Sequence, residues 1–79
     1  MELIQAYNIL RVSTSISEVI TVLKDLKDTY KDAIKISLIP YDPSDPLNNM
    51  YELVANTDKA GWFLPIGEDT YNMLKEVID

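Results

Sequence analysis

The chain has 79 residues and a mass of 9.0 kDa, enough for one small domain over 1–79 and too little for two cores. With 47% hydrophobic and 25% charged residues it has the composition of a folded globular protein, not of a disordered one. It contains neither cysteine nor histidine, which excludes disulfides, thiolate nucleophiles, imidazole bases and zinc sites built on those ligands.

The net charge of −6 is unevenly placed. Residues 1–41 carry five acids and five bases, whereas from residue 42 onward eight acids face only Lys59 and Lys75. No cluster of Lys and Arg exists that could displace counterions from phosphates, so direct nucleic-acid binding is not expected. An acidic surface suits a basic protein partner, and it also serves plain solubility. No secretory leader or lipidation pattern is present, and apolar runs such as Trp62 to Ile66 are far too short to span a bilayer. The expectation is a soluble, cytoplasmic protein without membrane attachment.

In chain order, residues 2–12 alternate, with Ile4, Ala6, Leu10 and Val12 on one side, which predicts a strand; Asn8 breaks the pattern, and Leu3, Ile4, Tyr7 and Leu10 also fit a helix. Ser15 followed by Glu18 has the spacing of a capping box and predicts a helix start. From there Ile16, Val19, Ile20, Leu23, Leu26 and Tyr30 recur at helical spacing up to about Lys31, with charges of both signs opposite them. Residues 33–39 alternate as a half-buried strand ended by Pro40. Two Asp-Pro steps and an Asn pair make Tyr41 to Asn49 a protruding loop. Residues 50–56 and 62–66 read as a hairpin around a turn at Thr57 to Gly61, with Pro65 confining the second strand to a sheet edge. Gly67, Glu68, Asp69 and Thr70 open a last helix, its acids at the positive end of the dipole and Tyr71, Leu74, Val77 and Ile78 on its buried face.

The expected fold is α+β, a two-layer sandwich in the order β-α-β-β-β-α, with a largely antiparallel sheet and helices on one face. If residues 2–12 form a strand, a right-handed crossover sets it parallel to the next one; otherwise the order is helix, three strands, helix. That second order resembles double-stranded RNA-binding domains. Those carry lysines at the start of the second helix, where Glu68 and Asp69 stand here and would repel phosphate, so the family is set aside.

Asp42, Asp45, Asn48, Asn49 and Glu52 form a run of oxygen donors, but calcium loops alternate ligands at every second residue around a Gly, and prolines interrupt this run. Turn chemistry accounts for it, and no metal or cofactor is expected. Only Gly61 and Gly67 are present, so no phosphate-cradling loop can be built, and the adjacent Glu68 and Asp69 answer the helix dipole better than they flank a substrate. An enzyme is not expected. Trp62 and Phe63 are consecutive, so in a strand they face opposite sides and only one can enter a one-faced core. The expected function is a non-enzymatic acidic interaction module, a regulator or inhibitor of a basic protein. A mimic of nucleic-acid charge carried by a mobile element is one form of it. Its predicted contact residues are Tyr41, Asp58, Trp62, Phe63, Glu68 and Asp69. The alternative is a structural or assembly subunit acting as a homodimer or larger oligomer.

Overall fold

The computed structural model describes residues 1–78; Asp79, one of the acids in the charge count, lies outside the described residues. The chain folds as helix α1 (Leu3–Leu10), helix α2 (Ile16–Tyr30), a short 3-10 turn (Lys31–Ala33), strands β1 (Lys35–Ile39), β2 (Tyr51–Asn56) and β3 (Gly61–Ile66), and helix α3 (Glu68–Ile78). The α+β class, the antiparallel meander and the closing helix agree with the sequence reading, whereas the first segment is a helix. Its buried residues Leu3, Ala6 and Leu10 fall on a helical stripe. Ile4 and Val12, which the alternating reading had placed on the inner side, are 62% and 70% exposed. With no strand there, no parallel crossover forms, and the sheet is antiparallel throughout in the order β1-β2-β3.

Helix α1 is held at its first turn from two sides. The Leu3 amide donates to the Tyr30 hydroxyl at 2.9 Å, and the Trp62 indole Nε1 donates to the Leu3 carbonyl at 2.8 Å. Trp62 also packs against Tyr7, with ring centroids 5.7 Å apart. Helix α2 starts at Ile16 after Ser15, as the capping box predicts, but the Ser15 side chain makes no cap hydrogen bond. It ends at Lys31, whose φ of 52° turns the chain away from the helical path.

The core lies between the helices and one face of the sheet. Leu26, Leu53 and Leu74 are its largest fully buried side chains, joined by Val22, Leu23, Ala55 and the inner stripe of α1. Of the residues expected inside α3, Leu74 is buried and Ile78 packs partly against the core, while Val77 is 46% exposed. The register fixes the two faces of the sheet. Leu38, Leu53 and Leu64 form one inward row, and Ile36, Ala55 and Trp62 another. Between them, Ser37, Val54 and Phe63 form a row on the face turned away from the helices.

Candidate functional site

The strand register sorts the predicted contact residues. Trp62 points inward, holds α1 and packs half-buried against the core, while Phe63 points outward and is 61% exposed. The alternation argument separates the two rings as expected, and the outward one is Phe63. Asp58 lies in the β2–β3 turn, at one end of the sheet. Glu68 and Asp69 open α3 just after β3, at the other end. The six residues of β3 lie between these groups, a span of roughly 20 Å, so the acids do not form one patch.

At the Glu68 end a different set of side chains meets. Tyr51 begins β2 on the helix-facing side, in register with Ile66, the last residue of β3. Tyr71, three residues into α3 from Glu68, stacks on it with ring centroids 4.7 Å apart and planes tilted by 41°. Tyr41, just beyond β1, meets the Tyr51 ring at 6.0 Å. The three rings form a row with Tyr51 in the middle and Tyr41, 45% exposed, at its outer end. Burial raises the Tyr51 hydroxyl above the ordinary tyrosine pKa, and the Glu68 carboxylate adds to the rise, followed by the neighbouring Tyr71 and Tyr41. Glu68 and Tyr71 share a face of α3 because they are three residues apart. Tyr41 and Glu68 were read from the sequence as contact residues. The sequence groups Tyr51 and Tyr71 with Tyr41, Trp62 and Phe63 in one aromatic-rich stretch without selecting them as contacts, and nothing in it shows that their rings meet.

The loop from Tyr41 to Asn49 covers the same end. It is closed by its own hydrogen bonds, with the Asp42 amide on the Asn48 carbonyl at 2.9 Å. The Asp42 carboxylate accepts from the Ser44 hydroxyl at 2.6 Å and from the Ser44 amide at 3.0 Å, and these two bonds hold its pKa below the ordinary value. Asp45 accepts from the Leu47 amide at 2.9 Å in the same manner. Asp42 and Asp45 are thus used in Asx turns, in keeping with the turn chemistry expected of this run, while Glu52 lies in β2. Asp42, Asp45, Glu52, Glu68 and Asp69 make this end acidic, and residues 36–58 and 60–74 contain no Lys or Arg; Arg11, from just after α1, lines a cleft beside Gly67 and Thr70.

One cleft borders this end and another lies away from it. The first, of about 290 Å³, opens between the α1–α2 connection and the start of α3, with Arg11 and the hydroxyls of Ser13 and Thr70 above Leu10 and Leu53. The other, of about 310 Å³, is mostly apolar and lies against Leu3, Tyr7, Tyr30 and Trp62. No helix among the described residues is long and apolar enough to cross a membrane. Comparison with known protein families, curated proteins and solved structures finds no match to this chain.

Proposed function

We propose that this protein is a non-enzymatic interaction module, a cytoplasmic regulator or inhibitor that binds a basic protein at the tyrosine end of its sheet. The observation that carries this reading is the row Tyr41, Tyr51 and Tyr71 beside Glu68, in a stretch of the chain whose only base, Lys59, is at the opposite end. Arginine and lysine side chains are attracted both to the faces of aromatic rings and to nearby carboxylates, and tyrosine supplies contact area at low entropic cost. Tyr41 and Glu68 are exposed, so a partner reaches them without opening the core.

The test is calorimetric titration with an arginine-rich peptide and with an acidic peptide of equal length. The basic peptide should bind, and more weakly as salt rises above 0.15 M, where the screening length is ~8 Å. Glu68→Lys and Tyr41→Ala should each weaken binding by about tenfold, ~1.4 kcal/mol. Asp58→Lys changes the net charge by the same amount as Glu68→Lys but should shift binding by less than about twofold, because it acts from a distance beyond the screening length. Equal effects of the two reversals would mean that the peptide reads net charge alone, and the proposed site would be wrong.

A further inference from the structure

The sheet face turned away from the helices carries three rows of side chains: Lys35 and Asn56 at one end, Ser37, Val54 and Phe63 in the middle, and Ile39, Glu52 and Pro65 at the tyrosine end. Val54 and Phe63 make its centre apolar beside Ser37, and Phe63 stands 61% exposed on it. In a chain of net charge −6 this face is neutral: its two charges, Lys35 and Glu52, have opposite signs and occupy opposite ends. Among the described residues neither has an ion-pair partner in its own chain.

We propose that this face pairs with the same face of a second copy, about a two-fold axis running across the strands through Val54. That axis lays the end row of one copy over the opposite end row of the other. Lys35 of each protomer then lies over the partner's Ile39, one strand (~4.8 Å) to the side of the partner's Glu52 and within reach of it, twice, while Phe63 packs against Phe63 on the axis. The other in-plane axis, along the strands, would set Glu52 against Glu52 and bring both acidic tyrosine ends together, so like-charge repulsion selects the first. Three strands ~4.8 Å apart and five residues rising ~3.3 Å each give a footprint of roughly 14 by 17 Å. This is small beside the ~800 Å² per partner of a standard interface, so the dimer exchanges with monomer and dissociates on dilution. The face borders the tyrosine end at Ile39, Glu52 and Pro65 but includes none of Tyr41, Tyr51, Tyr71 and Glu68, so either proposal can fail alone.

Sedimentation velocity over a concentration series tests it. The full chain should shift from its 9.0 kDa monomer mass toward twice that value as concentration rises. Phe63→Ser should abolish the shift while circular dichroism stays native, since the ring is outside the core. Lys35→Glu and Glu52→Lys should each weaken association by about tenfold, and the double exchange should restore it, because the pairing is reciprocal. An equimolar mixture of the two single variants should associate more tightly than either alone. A chain that stays monomeric to millimolar concentration would overturn the proposal and leave the face to a different protein. A dimer that ignores Phe63→Ser, or that the double exchange does not rescue, would overturn the geometry.

Discussion

Tyr51 is the residue through which the tyrosine end is most directly observable. Its ring lies between two others and beside a carboxylate, so ionising it places a negative charge in a partly desolvated, already acidic setting. Its pKa is higher in the folded than in the unfolded chain. The neutral hydroxyl therefore supports the fold fully at pH below the unfolded value of 10.0, and that support is lost as pH rises through the folded value. Two measurements follow. In a titration of phenolate absorbance, a step above the ordinary tyrosine value should be present and should vanish in Tyr51→Phe. Glu68→Gln should bring that step earlier without removing the delay, because burial is the larger cause and Glu68 the second. If the late step were unmoved by Glu68→Gln, the carboxylate would not lie against the ring and the electrostatic half of the proposed site would fall. At the acidic end, Asp42 has the opposite sign: its hydrogen bonds to Ser44 favour the carboxylate, so this contribution is present above the ordinary value of 3.8 and fades as pH drops through the lowered one.

Among the elements, α2 and the β2–β3 hairpin were plain in the sequence, because cap, periodicity and turn residues agree at Ser15, Leu23, Leu26 and the Thr57 to Gly61 turn. Gly61 has a further constraint there, since a Cβ at that position would run into the side chain of Asn56 opposite it. Helix α1 was ambiguous for a physical reason. Ala6 and Leu10 satisfy both a period of two and a helical period, and the deciding contacts come from far along the chain, from Tyr30 and Trp62. The tyrosine row was illegible for the same reason: its rings come from a loop, a strand and a helix, and only the register unites them. An eight-residue helix is too short to persist on its own, so α1 depends on its docking. Trp62→Phe should keep the ring in place but remove the bond to the Leu3 carbonyl, lowering stability in urea by about 1 to 2 kcal/mol. Hydrogen exchange should locate the loss, with α1 amides exchanging faster while α2 amides follow only the global change. Unchanged protection of α1 would show that the indole bond is not what fixes it.

For the whole molecule, the two surfaces together define what an assembled form can do. In the dimer built about the axis across the strands, the partners run antiparallel, so their tyrosine ends lie at opposite poles, about one strand length of roughly 20 Å apart. The carboxylates Asp42, Asp45, Glu68 and Asp69 of the two tyrosine ends are then kept at opposite poles instead of brought together at the contact, and each tyrosine end remains open to a basic partner. Such a dimer is bivalent. Two arginine-rich segments joined by a Gly/Ser linker should exploit this once the linker spans the poles. At ~5–6 Å × √n, about 20 linker residues reach that distance and three do not. The long-linked peptide should bind at least about tenfold more tightly than the single segment, and the short-linked one should gain little. Phe63→Ser leaves the net charge and the tyrosine end untouched, so it should erase the gain while leaving single-segment affinity unchanged. A gain that survives Phe63→Ser, or that ignores linker length, would mean that the peptide bridges independent monomers by charge alone, and the antiparallel arrangement of the poles would have to be abandoned.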